Sequence, residues 1–206
     1  MSLIVGYDLS LPTPQTYTGL QSSVANWLNR SDLTALIPDF ITLAEERLNR
    51  ALRVRQMEVS LDETAIADNV IPVPVGTVAV KSLWPSGYET APLKPQSFDF
   101  VLSQGGEGVP SVYAWQGDNF RFNGTGSVAG VLYQRIPALS ADQTTNWLLT
   151  EAPSAYLFGA LREAYEYTRN DSERDRWAAR QEQVIAELCG AQQRDLYSGP
   201  LQVRAR

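Results

Sequence analysis

The sequence predicts an α+β protein: a four-helix core made of two helical pairs, a β-rich insertion between the pairs, and extended termini. Three observations carry that reading. Apolar residues recur at three-and-four spacing over 17–56 and again over 147–194, the period of an amphipathic helix. Over 57–146 the period falls to two, and Gly, Pro and Asn punctuate short runs as strands and turns require. The ends, 1–16 and 195–206, read as extended, since Pro12 and Pro14 disfavour helix in the first and Leu201 and Val203 alternate with polar neighbours in the second.

The N-terminal arm holds Leu3, Ile4, Val5, Tyr7, Leu9 and Leu11, which can lie on its own core or on a neighbour's. Its apolar opening is short, lacks a leading charge and is interrupted by Asp8, so neither an export signal nor a membrane span is expected. The first helix is expected from Thr18, where Thr18-Gly19-Leu20-Gln21 has capping-box form, to about Arg30, with Leu20, Val24, Trp27 and Leu28 on one side. After a turn at Ser31-Asp32, Leu33, Leu36, Ile37, Phe40, Ile41, Ala44, Leu48, Ala51 and Leu52 mark one face of a helix reaching about Arg55, with Pro38 tolerated in a first turn. Asp39, Glu45 and Glu46 precede Arg47, Arg50, Arg53 and Arg55, an order that suits the helix dipole, and Glu46 stands four residues before Arg50.

In the insertion, the clearest strand is Thr77–Trp84, with Val78, Val80 and Trp84 alternating with Ala79, Lys81 and Leu83. Ser111–Trp115 and Phe120–Phe122 flank Gly117-Asp118-Asn119 as a hairpin, Val128–Arg135 supplies another strand, and Pro95–Ser103 a short helix. A polar loop, Pro137–Asn146, leads to a third helix from Pro153 with Leu157, Ala160, Leu161 and Ala164 on one face. Asn170-Asp171-Ser172-Glu173 caps a fourth, which carries Trp177, Ala178, Gln181, Val184, Ile185 and Leu188 to about Arg194. One common core covers four apolar stripes with the least extra surface.

Composition narrows the chemistry. The 206 residues, 44% hydrophobic, fill one compact domain or a helical core with a smaller insertion. With no histidine and Cys189 as the sole cysteine, no Ser-His-Asp or Cys-His relay and no internal disulfide can be built. Cys189 sits among Val184, Ile185 and Leu188 and reads as a packing residue. Glu45 with Glu46, and Glu163 with Glu166, are the nearest thing to a catalytic carboxylate pair. The first two are adjacent on a helix, and the second two interleave with Arg162 and Arg169 as solvent-facing ion pairs do. The Gly-rich run Gln104–Gly108 lacks the Lys-Ser/Thr of a phosphate-binding loop. No enzyme activity and no cofactor or metal is therefore expected. A formal charge of −6 argues against a surface that grips nucleic acid, and suits a wall past which DNA slides without sticking. Trp27 and Trp177 read as core, whereas Trp84, Trp115, Phe120 and Phe122 either cover the small sheet or remain for a partner.

The turn Trp27-Leu28-Asn29-Arg30-Ser31-Asp32-Leu33, the helix start Ile37-Pro38-Asp39-Phe40-Ile41 and the exit from Ala44-Glu45-Glu46-Arg47-Leu48-Asn49-Arg50 to Met57 closely resemble the head-to-tail adaptor (connector) proteins of tailed bacteriophages. Leu139–Leu149, with Thr145-Asn146-Trp147-Leu148-Leu149, and Tyr156–Leu161 resemble two further elements of that family, so the likeness runs from Tyr17 to about Arg194. It implies a structural protein of the virion neck: a homo-oligomeric ring, twelve copies in the usual arrangement, under the portal protein and offering a docking surface to the next tail component. DNA passes through the lumen without specific binding, no membrane is involved, and assembly takes place in the host cytoplasm. On that reading Arg47, Arg50, Arg53 and Arg55 form either a docking stripe for acidic portal loops or DNA, or a solvated helix end. Leu196, Tyr197, Leu201, Val203, Arg204 and Arg206 form either a portal or neighbour contact, or a free end. Two other classes remain open to this sequence: a carbohydrate-binding or other recognition module of the phage tail, its ligand held by insertion aromatics, and, more weakly, a lytic enzyme.

Overall fold

The computed structural model describes residues 14–197, with side chains through 191. The expected arm at 1–16 lies outside the described residues up to position 13, as do Leu201, Val203, Arg204 and Arg206. The chain is α+β and forms two compact units, one from residues up to Leu52 and from Ile136 onward, the other Arg53–Arg135.

In the first unit, α1 (Tyr17–Leu28) begins one residue before the expected start. Its cap is Thr16, extended at φ −129° and ψ 157°, whose hydroxyl accepts from the Gly19 N–H at 3.1 Å. Asn29 closes it in the left-handed region at φ 49°. A 3-10 segment, Ser31–Leu36, then carries Leu33 and Leu36, so these two do not share the following α-helix. That helix, α2 (Ile37–Ala51), takes Pro38 in its first turn and ends at Leu52, which is extended. It stops short of the expected Arg55, because the apolar period runs on through Leu52 although the backbone has already left the helix.

The return half holds three helices. Asn146 caps α4 (Trp147–Glu151), which Pro153 ends by keeping Ala152 out of the helical region, and α5 (Pro153–Tyr167) follows at once. Arg169, at φ 56°, turns the chain into α6 (Asp171–Tyr197), where Asn170 Oδ1 accepts from the Glu173 N–H at 3.4 Å. Asp195, Leu196 and Tyr197 are thus helical, not part of an extended tail; the sequence has no helix breaker before Gly199-Pro200.

Helix α5 is central, and α1, α2, α4 and α6 all pack on it. Leu20, Val24, Ile41, Ala44, Leu48, Leu148, Tyr156, Ala160 and Leu161 are fully buried there. Trp177 is buried with its ring 5.3 Å from Trp27 and 5.5 Å from Phe158. Trp27, expected in the core, is half exposed and contributes only this edge. The loop from Pro137 to Asn146 belongs with these helices, so the other unit spans 53–135 where 57–146 was expected.

The second unit contains two small sheets. Strands β1 (Glu58–Ala65), β3 (Thr77–Pro85) and β7 (Ser127–Gln134) form an antiparallel sheet in the order β1-β7-β3. Strands β2 (Val70–Pro72), β4 (Lys94–Pro95), β5 (Val112–Gln116) and β6 (Asn119–Phe122) form another, ordered β2-β6-β5-β4, in which β4 runs parallel to β5. A short helix, α3 (Phe98–Ser103), packs on β5 and β6. The predicted hairpin turns at Gly117-Asp118, with Gly117 at φ 56° and Gln116 paired to Asn119. Leu83, Val128 and Leu132 from one sheet meet Ile71, Tyr113, Phe120 and Phe122 from the other in one core. Irregularities in β3, one between Val80 and Ser82, break the simple alternation, so Val80 and Leu83 both pack on this core.

Candidate interaction site

Helix α2 presents polar residues within its apolar stripe, since Glu45 and Asn49 follow Ile41 by four and eight positions and are 6% and 7% exposed. Asn49 Nδ2 donates to the Glu45 carbonyl at 3.0 Å, and its Oδ1 accepts from the Ile136 N–H at 2.8 Å. Glu45 Oε1 accepts from the Leu139 N–H at 2.8 Å and from the Tyr156 hydroxyl at 3.3 Å. Asn146 Nδ2 donates to Tyr156 Oη and to the Pro137 carbonyl, both at 2.7 Å, while its Oδ1 accepts from the Leu149 N–H at 2.8 Å. These four side chains clasp the loop after Arg135 to α2 and α5. Burial first, and then the neighbouring Glu45 carboxylate, hold the Tyr156 phenol far above its ordinary pKa. These contacts turn inward and fasten the loop to the two helices.

Sequence reasoning missed this clasp. The available signal was a polar residue at a core position of a helical stripe, and an Asn immediately before an apolar run.

The expected arginine stripe is dispersed. Arg47 pairs with Glu163, a contact between α2 and α5, and lies 3.5 Å from Glu166. The hydrogen bond to Glu163 raises the guanidinium pKa still further. Glu163 is 7% exposed, so it is not the solvent-facing partner of Arg162 or Arg169 that its spacing suggested. Arg50 is exposed on α2, whereas Arg53 and Arg55 follow the end of that helix and belong to the other unit. Leu196 and Tyr197 lie on the last turn of α6.

What α2, α5 and α6 do bring together is an open cleft of about 310 Å³ lined by Arg47, Arg50, Ala51, Arg162, Gln181, Glu182 and Ile185. A second groove, of about 500 Å³, is lined by Glu151–Ser154 and by Val184, Glu187, Leu188 and Ala191 of α6. In the β unit Phe120 and Phe122 are fully buried, and Trp115 is 41% exposed but packs on Phe120 and donates its Nε1–H to the Gly117 carbonyl at 2.8 Å. Among the described residues no cluster of His, Cys, Asp and Glu can hold a metal ion, and no helix is long and apolar enough to cross a membrane.

The chain is thus an α+β protein whose helical unit carries an inward-facing polar clasp and two open surface clefts. The family model described as SU10 adaptor protein matches residues 15–204, nearly the whole chain. The chain belongs to that family and is a phage structural adaptor, a component of the virion that works through other virion components. No curated protein matches it.

Proposed function

We propose that this adaptor is a head-to-tail connector, standing as a ring of twelve copies beneath the portal in the virion neck and joining it to the next tail component. Family membership across residues 15–204 is the observation that carries the reading. The helical body, two helical pairs sharing one core, forms the ring, and the β-rich segment between them projects toward the tail side. The termini, with Leu196, Tyr197, Leu201, Val203, Arg204 and Arg206, hold portal or neighbour; of the arginine series, Arg47 and Arg50 remain on the helical body, and Arg53 and Arg55 are contacts of the β unit. A surface that is quiet alone becomes strong when repeated, because each added subunit meets portal and neighbour at high effective concentration. The charge of −6 supports a lumen that DNA crosses without specific binding. No bond is made or broken in this role.

Purified protein mixed with its cognate portal, followed by native mass and negative-stain imaging, is expected to give a stoichiometric ring complex. A chain that ignores portal and binds glycan in its place would overturn the reading in favour of a recognition module. Phe120 and Phe122 are buried and cannot stack on such a ligand, so two of the four aromatics expected to bind it are withdrawn. Truncation after Asp195 is expected to weaken portal binding, and undiminished ring formation would refute the tail contact.

A further inference from the structure

We propose that the cleft lined by Arg47, Arg50, Arg162 and Gln181 receives a single side-chain carboxylate, a Glu or Asp presented by a partner protein. The inference deepens the connector reading, and rests on it for the partner being another protein of the virion.

Three helix faces build the cleft: Arg47 and Arg50 stand one turn apart on α2, Arg162 projects from α5, and Gln181, Glu182 and Ile185 come from α6. Arg47 is already engaged with Glu163 and Glu166. Among the described residues, the side chains of Arg50 and Arg162 have no ion pair. Two donors are also desolvated without an acceptor: Arg162 Nε and Gln181 Nε2, the latter on a side chain 1% exposed. A buried donor with no acceptor is costly, and the cost is relieved when an incoming group supplies the oxygen. Here the deficit consists of donors alone, beside guanidinium forks that match a carboxylate in two-point geometry.

The surroundings select among anions. Nucleic acid presents a row of phosphates and asks for an extended cationic track. This cleft is a single site of about 310 Å³ with Glu182 on its lining, and Glu163 and Glu166 stand beside Arg47, so a polyphosphate strand meets repulsion on either side. One carboxylate on a protein chain fits both the size and the charge.

The test uses the full chain, 15N-labelled, with arginine Nε–H resonances read during titration at low salt with a short capped peptide carrying a single Glu, inorganic phosphate, or a short DNA duplex. The Arg162 Nε–H signal is expected to move and saturate with the peptide. Binding is expected to weaken about tenfold in Arg162→Gln, the loss of one charge-assisted bond. Arg162→Lys, which keeps the charge and loses the fork, is expected to weaken it several-fold, and Glu182→Gln to tighten it. An unmoved Arg162 signal, a Lys variant that binds like the parent, or DNA or phosphate binding more tightly than the peptide would each overturn the assignment. Failure here with normal portal-ring formation removes the cleft alone; peptide binding without any ring removes the connector reading and leaves the cleft standing.

Discussion

At the residue scale, the polar clasp makes the sharpest demands, because each of its groups is cut off from water. Replacing Asn146 by Ala removes an α4 cap and leaves the Pro137 carbonyl and the Tyr156 hydroxyl short of a partner. A loss of about 2–4 kcal/mol is expected in urea unfolding, and a change below about 0.5 kcal/mol, the size of a neutral surface substitution, would mean the clasp does not hold the loop. Tyr156 adds a pH signature. Its phenol pKa is raised by folding from an ordinary 10.0, chiefly by burial, so below that value both folded and unfolded states keep the proton. Above it the unfolded state releases the proton first, binds fewer protons than the native state, and stability falls as pH rises. Tyr156→Phe is therefore expected to be less stable at neutral pH yet to lose stability less steeply in alkali. An unchanged alkaline slope would show that the phenol is not the group responsible.

At the element scale, what the sequence made legible follows from how much of each pattern is local. Helices α1, α2, α5 and α6 announce themselves because one stripe of each faces a core, and the β5–β6 hairpin because its turn needs Gly117. Strand β1 was invisible: its residues are half-buried or exposed along the whole length, so no period of two marks it. The end of α2 was misplaced because Leu52 keeps the helical period after the backbone turns extended. The clasp and the Arg47–Glu163 pair join residues about a hundred positions apart, a distance no local pattern reports. One close approach between elements is directly testable. A Cβ on Gly159 of α5 would lie 2.5 Å from Gln181 Nε2 and 2.8 Å from the Ala44 Cβ, whereas one on Gly190 of α6 would meet nothing within 4 Å. Gly159→Ala gains about 1 kcal/mol of helix propensity but incurs an overpacking cost of about 1–3 kcal/mol, so a net loss is expected. Gly190→Ala carries only the gain, about 0.5–1 kcal/mol. Thermal melts of the two variants should move in opposite directions; a stabilised Gly159→Ala would show that α2, α5 and α6 are less tightly packed than their geometry requires.

At the scale of the whole molecule, the chain comprises two compact units, and the helical one carries both the buried clasp and the cleft proposed for contact. The helical unit is centred on α5 and fastened by buried polar groups, while the β unit is closed around Phe120, Phe122, Leu83 and Leu132. A unit whose core is weakened opens locally before the rest of the chain does. Phe120→Ala, which empties the centre of the β core, costs about 3–5 kcal/mol by analogy with other buried aromatics. That loss should appear in hydrogen exchange as faster exchange over β2, β5, β6 and β7, with the amides of α5 keeping their protection. Equal loss of protection in α5 would show one cooperative body and not two. For an adaptor that outcome has a consequence: protection kept in α5 would mean that substitutions in the β unit can alter its surface while the helical unit keeps its fold.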